Sequence, residues 1–398
     1  MQNYLFISPD FPKSYYLFAK ALAKAGFRVL GVASTAYDDL RPELKEALTE
    51  YYRVNNMEDY SEMRQAAAYF VNKYGPLDFV ESNNEYWLEL EAKLRSEFQV
   101  STGKNNTNII AFKSKEAEKE YYQKAGVKTA RYSVVKDLES AKQFIKEVGY
   151  PIIAKPDIGV GASNTYKIEN IRDLEGFFAH YDYRTKYLME EYVEGDLISF
   201  DGITNSTAEV VFSSNEVFPY HIMDVVNHQG DVYYYSNIEV PLDLETIGKR
   251  VLKAFDARYR YFHLEFFRMS KVKKGLGKKG DIIGLEANMR CPGGYTPDMI
   301  NFAHSVDTYS IYAQSLINDK VEVQQNGLNY YCVYGARRNG AEYVMSSAEI
   351  MNKYANELVM HDYMPAILAF AMGDEFFVVK TTSYQKLCEF RDDVLQRK

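Results

Sequence analysis

FHLEFF at residues 262–267 and IIGLEANMRCPGG at 282–294 are the two stretches on which the reading of this chain turns. Both are apolar, and both carry polar residues at alternate positions. Successive side chains of a strand point to opposite faces, so His263 and Glu265 project together, as do Glu286, Asn288 and Arg290. If the segments pair as a hairpin, two carboxylates, an amide oxygen, an imidazole and a guanidinium crowd one surface. Open oxygen donors suit Mg²⁺ shared with a substrate phosphate. A guanidinium beside them suits a phosphate or an oxyanion. The alternative is a solvated salt-bridge face, against which the apolar residues of both strands argue.

The 398 residues allow two or three domains and a large core. A net charge of −8 disfavours broad binding to nucleic acid. Cys291, Cys332 and Cys388 form neither a metal-ligand spacing nor an even disulfide set, which fits a reducing cytosol. MQNYLFISPDF at the start lacks the basic segment and long apolar run of a signal peptide. No stretch approaches the ~18 apolar residues of a membrane span. The expectation is a cytoplasmic protein with no nucleic-acid or membrane partner.

The first hundred residues alternate strand and helix, with strands at 4–7, 28–32 and 77–81 and helices at 14–25, 61–74 and 87–98. This βαβ rhythm predicts a parallel sheet. Its first turn, SPDFPKS at 8–14, lacks G-x-G-x-x-G, so no dinucleotide is expected there. Loops at the carboxyl ends of parallel strands usually carry ligand contacts, which makes 8–12 and 82–85 a candidate substrate wall; ordinary turns are the alternative. Further on, helices are expected at 114–125, 138–148, 170–178, 243–255 and 306–317, and strands at 131–135, 150–155, 187–193, 198–204, 209–212 and 232–239.

Lys155 ends an apolar strand just before DIGVGASNT at 157–165. Gly159, Gly161, Ala162 and Ser163 let backbone approach a ligand and aim N–H groups at it. A cation beside such a loop reads as a phosphate site or, standing alone, as a plain turn; the Walker A pattern is absent. Lys115 opens the helix at 114–125 as a second cation or a solvated charge. YLMEEYV at 187–193, followed by Glu194, Gly195 and Asp196, offers extended backbone to an adenine edge and an acid to ribose hydroxyls. An ordinary strand and turn is the alternative.

Taken in order, Lys115, Lys155, the glycine loop, M-E-E-Y-V-E-G, H-x-E and E-x-N-x-R resemble the ATP-grasp superfamily over about 105–320. FHLEFF and EANMRCPGG look most like carboxylate–amine ligases of the L-amino-acid ligase kind, and more distantly like the carbamoyl-phosphate synthase large chain. The resemblance implies α/β and α+β architecture. A Rossmann-like parallel domain would occupy 1–107, and an ATP-grasp module 108–322 with a lid at about 130–195. A C-terminal α+β segment at 323–398 would complete the core. It further implies ATP and two Mg²⁺ ions, with Mn²⁺ as a substitute. Lys115 and Lys155 would hold phosphates under the 159–163 lid loop. Glu190 would meet the adenine amino group, and the backbone of Glu191, Tyr192 and Val193 would pass the ring. Glu265, Glu286 and Asn288 would hold metal, Arg290 would stabilise the transferred phosphoryl group, and His263 would touch substrate.

Two departures stand out. Many members carry a ribose glutamate where this chain has Leu197, which moves that role to Asp196 or Glu194. The lysine- and glycine-rich loop at 271–280 is longer than in many relatives and reads as a solvated hairpin tip or a docking site for an acidic partner. The expected substrates are a small carboxylate and an amine, joined through an acylphosphate, in a homodimeric enzyme. Other ATP-grasp chemistry (carboxylation or a small-molecule kinase) and a non-catalytic nucleotide-binding module are the alternatives.

Overall fold

The computed structural model describes residues 1–159, 164–219 and 230–398. The chain opens with β1 (Asn3–Ile7), β2 (Arg28–Ala33), β3 (Glu50–Arg53) and β4 (Phe79–Glu81), which form a parallel sheet in the order β3–β2–β1–β4. All five residues of β1 are buried, as a parallel strand covered on both faces requires. Helix Tyr60–Tyr74 is capped by the Asp59 side chain and stopped at Gly75, whose φ of +89° suits glycine.

Four strands make a small antiparallel sheet: β5 (Tyr132–Val134), β6 (Ile152–Pro156), β7 (Tyr166–Ile168) and β8 (Tyr187–Glu191), in the order β5–β8–β6–β7. Helix Leu138–Val148 starts in a capping box between Asp137 and Ser140. It buries Ala141, Phe144, Ile145 and Val148, spaced to share one helical face, against this sheet.

The large antiparallel sheet contains β9 (Gly195–Thr204), β10 (Val210–Ser214), β11 (Glu216–Phe218), β12 (Val232–Ser236), β13 (Tyr261–Met269), β14 (Ile282–Asn288), β15 (Tyr331–Arg337), β16 (Leu358–Tyr363) and β17 (Glu375–Thr381). Among the described residues the strands run β14–β13–β9–β11–β12–β15–β17–β16, and β10 also pairs with β9. Phe262, Leu264 and Phe266 of β13 pack with Ile198 and Phe200 of β9 in the core behind this sheet, leaving the alternate residues to the other face. Gly202 is required where β10 bulges against β9, because a Cβ there would lie 2.1 Å from the Phe212 carbonyl oxygen.

The expected helix at 306–317 is found at Thr308–Ser315, as the second of two helices, the first being Thr296–His304. Ser305 breaks the run in the left-handed region, and Asp307 caps the second helix. Pro297 occupies the first turn of the first helix, where its missing N–H costs nothing, so it marks a helix start where the glycines before it suggest a loop. Helix Pro42–Ala47, β3 and β11 are also additions to the sequence reading, each too short to show a period. Among the described residues, no helix is long and apolar enough to cross a membrane.

A buried ionic cluster joins the parallel sheet to the start of β13. Arg95 contacts Glu81 and Glu91, each at 2.8 Å, and Arg260 bonds Glu81 and lies 3.6 Å from Glu91. All four side chains are at most 2% exposed. Burial pushes the Glu81 carboxyl up to about 7 against the pull of both guanidiniums. Glu91 is opposed by burial too, but Arg95, Arg260 and the Ser82 hydroxyl and amide hold it below the usual carboxylate range.

Candidate active site

β13 lies between β9 and β14, which sets Glu265 opposite Glu286 and His263 opposite Asn288. The sequence-predicted hairpin therefore exists. A bulge after Glu265 lets both Leu285 and Glu286 of β14 face one cleft. The opposite wall comes from the small sheet, with Ile153 and Lys155 on β6 and Glu190 to Val193 at the end of β8. Lys115 enters at the first turn of helix Lys115–Lys124. Asp157, just past β6, accepts from the Ser114 hydroxyl and the Glu116 amide, at 2.9 Å each, and so ties that helix start to the strand carrying Lys155.

Lys115, Lys155, Glu190, Glu191, Tyr192, Val193, Glu265, Glu286, Asn288 and Arg290 all line this cleft. Each cation rests on a carboxylate. Lys115 pairs with Glu286 at 2.9 Å, Lys155 with Glu190 at 2.9 Å, and Arg290 with Glu85 at 3.0 Å. Burial opposes ionisation of Glu190, but Lys119 and Lys155 outweigh it and hold the carboxyl down at about 2. Burial likewise opposes ionisation of Glu286, and Lys115, then Lys155, keep it below the usual range. Glu118, behind them, accepts from the Ala287 amide at 3.0 Å; burial, then Glu286, push its carboxyl well up.

Arg290 uses its whole fork. Nε and Nη2 donate to Glu85, Nη2 also to the Asn288 amide oxygen at 3.1 Å, and Nη1 to the Cys291 carbonyl at 3.0 Å. His263 lies buried beneath the cleft wall, with Nδ1 at 2.5 Å from Asp201 and Nε2 at 3.0 Å from Glu265. Burial alone would lower this imidazole; Asp201, then Glu265, push it up to about 10.

Glu265, Glu286 and the amide oxygen of Asn288 form an open set of hard oxygen donors, with Glu286 held ionised, and this fits Mg²⁺ shared with phosphates. Among the described residues no three His, Cys, Asp or Glu side chains cluster as a closed metal site.

The remaining predicted residues fall elsewhere. Gly159 is near the cationic end, where its carbonyl accepts from Lys115 Nζ at 3.2 Å. Gly161, Ala162 and Ser163 lie outside the described residues. Asp196 does not line the cleft: alternation along β9 turns Leu197 inward and leaves Asp196 exposed. Glu194 is exposed too and pairs with Lys271 at 2.6 Å. The loop at 271–280 is more than a solvated tip, because Lys273 donates to the Tyr192 carbonyl at 2.7 Å and braces the end of β8.

Sequence reading missed Lys119, which contacts Glu190 at 2.5 Å, and Glu85, which holds Arg290. Lys119 stands four residues after Lys115 on one helical face, a spacing that could have found it. Glu85 lies in the 82–85 loop already singled out as a substrate wall, but its pairing with Arg290 spans 205 residues of sequence.

No family model matches the chain. In sequence it is 24% identical over 262 residues to an L-arginine-specific L-amino acid ligase of Bacillus subtilis, a match covering 63% of this chain and 60% of that protein. In structure it superposes on an L-amino acid ligase from Bacillus licheniformis with a TM-score of 0.70 and 13% identity, over 100% of this chain and 98% of that one. The biotin carboxylase domain of 2-oxoglutarate carboxylase from Hydrogenobacter thermophilus, solved with MgADP, gives a TM-score of 0.67 at 15% identity, over 100% of this chain and 90% of that one. These likenesses show the fold that the chain shares with the L-amino acid ligase and the biotin carboxylase domain. The chain spans about three fifths of the length of the Bacillus subtilis relative it matches, and shares its overall fold with the Bacillus licheniformis ligase.

Proposed function

We propose that this protein is an ATP- and Mg²⁺-dependent carboxylate–amine ligase that forms an amide or dipeptide through an acylphosphate. The observation that carries the reading is the placement of Glu265, Glu286, Asn288 and Arg290 on one wall of a cleft whose other wall presents Lys155, with Lys115 also lining it beside Glu286. A carboxylate is a poor electrophile because oxide must leave. Transfer of the γ-phosphoryl group to its oxygen gives an acylphosphate and ADP. An amine then attacks the acyl carbon, loses a proton, and expels phosphate.

Phosphoryl transfer needs alignment and charge neutralisation above all. Lys115 and Lys155 bind phosphate oxygens once these displace the resting carboxylates. Glu190 faces the adenine amino group, and the apolar walls Ile153, Leu197 and Phe267 enclose the ring. Glu265, Glu286 and Asn288 would hold Mg²⁺, two ions that Mn²⁺ would replace, and the metal would supply neutralisation of charge on the transferring group. Arg290, freed from Glu85, stabilises the transferred phosphoryl group and the tetrahedral intermediate. His263, expected to touch substrate, does not line the cleft and reaches it only through Glu265.

Arg290→Lys is expected to lower kcat by about 10²–10³-fold, because a point ammonium cannot replace a planar fork that already makes four hydrogen bonds. Single-turnover kinetics that matched the unmodified enzyme would remove Arg290 from the reaction centre.

The reading as a whole is tested by phosphate release from Mg-ATP across free L-amino acids, singly and in pairs, with mass spectrometry of the products. Amine-dependent phosphate release with a matching amide or dipeptide mass is the expected result. The structural likeness to a biotin carboxylase domain favours carboxylation as the second reading, and release that depends on bicarbonate rather than on an amine would select it. Absence of ATP binding would remove both.

A further inference from the structure

We propose that Asp201 is a positioning residue for Glu265 and acts through His263. The inference rests on the reading of Glu265 as a metal carboxylate. Asp201 sits in the middle of β9 and is fully buried, as is Ser199 two residues before it. A buried carboxylate is costly unless its oxygens are bonded. Here Ser199 Oγ donates to Oδ2, and Oδ1 faces His263 Nδ1. The strand register explains why these groups meet. Asp201 is opposite His263 and Ser199 is opposite Glu265 on β13, so all four project on one face of the sheet.

The imidazole then has a carboxylate at each nitrogen, Asp201 on Nδ1 and Glu265 Oε1 on Nε2. A rigid planar ring bonded at both nitrogens transmits orientation: anchoring Nδ1 on a carboxylate inside the sheet fixes where Nε2 points. Nε2 in turn holds one oxygen of Glu265, and among the described residues the other oxygen has no hydrogen-bond partner. Glu265 reaches the cleft wall, whereas Asp201 does not. Asp201 is thus removed from the reacting atoms and able to act on them only by orienting the carboxylate that does line the cleft. Supporting partners of this kind typically tune metal affinity by about 10–100-fold.

The test uses Mn²⁺ as probe. Its affinity in the presence of saturating ADP is read from the EPR signal of free Mn²⁺, and ADP affinity without metal is read by calorimetry. Asp201→Asn preserves volume but replaces the carboxylate that anchors Nδ1 with a neutral amide, which loosens the hold on the ring. It is expected to weaken Mn²⁺ binding by about 10–100-fold while leaving metal-free ADP affinity within about two-fold of the unmodified protein. Ser199→Ala removes the outer donor to Asp201, and with it the acceptor of the Glu216 amide, and is expected to weaken Mn²⁺ binding by about 2–10-fold. It decides the question alone if the Asp201→Asn variant does not fold. Mn²⁺ affinity within about two-fold of the unmodified protein in the folded variants would overturn the proposal, as would parallel losses of Mn²⁺ and ADP binding, which mark a structural role only. If the unmodified protein bound ADP but no Mn²⁺, the metal reading of Glu265 would fall first, and this inference with it.

Discussion

Glu286→Gln is expected to abolish turnover while the protein stays folded, with kcat lower by about 10³-fold, or about 4 kcal/mol of barrier. The side chain keeps its shape, and its amide oxygen can still accept from Lys115 Nζ, which lies 2.9 Å from the carboxylate now. What is lost is charge. Lys115 and Lys155 hold Glu286 ionised against its burial, which is the state a divalent cation requires. The amide cannot neutralise Mg²⁺ as a carboxylate does. The fold should tolerate the change because Glu286 also sits beside Glu118, and removing one of two neighbouring acids relieves repulsion. Initial-rate measurements at saturating Mg-ATP, paired with a thermal melt, separate the two effects. Near-normal kcat in a folded variant would sink the metal assignment of Glu286.

Arg260→Met should have the largest effect on stability, a loss of about 3–5 kcal/mol, as expected when one partner of a buried ionic cluster is removed. Arg260 is 2% exposed and serves Glu81 and Glu91 together. Without it, Arg95 alone must neutralise two carboxylates that burial already disfavours. Glu81, pushed up to about 7, is the acid that will take a proton. The cluster ties the end of β4 to the start of β13, so the loss should disturb the seating of Glu85 against Arg290 and reduce activity as well. Urea unfolding followed by tyrosine and tryptophan fluorescence reads the stability change. A shift equivalent to under about 1 kcal/mol would mean that the cluster is no better than an exposed pair.

Much of this was legible before any coordinates. Alternation along FHLEFF and EANMR set His263 with Glu265 and Glu286 with Asn288 and Arg290, because a strand has a two-residue period that needs no partner to be read. The βαβ rhythm of the first hundred residues pointed to the parallel sheet because the alternation of strand and helix is read along the chain itself. Helices expected at 61–74 and 138–148 are present, and the structure adds their caps, Asp59 and Asp137. What the one-dimensional pattern could not supply was pairing across long separations. Arg290 meets Glu85 over 205 residues, and Arg260 meets Glu81 over 179. Sequence places ribose chemistry at Asp196 or Glu194, but neither lines the cleft, and the pleat of β9 turns Leu197 inward instead. The loop at 271–280 reads as solvated in one dimension, yet Lys273 holds the Tyr192 carbonyl. Sequence by itself determined which side chains share a face and which segments repeat a period, since those follow from the local backbone. Only the tertiary structure decided which carboxylate each cation rests on, because that depends on which strands lie side by side and which walls close on one cleft.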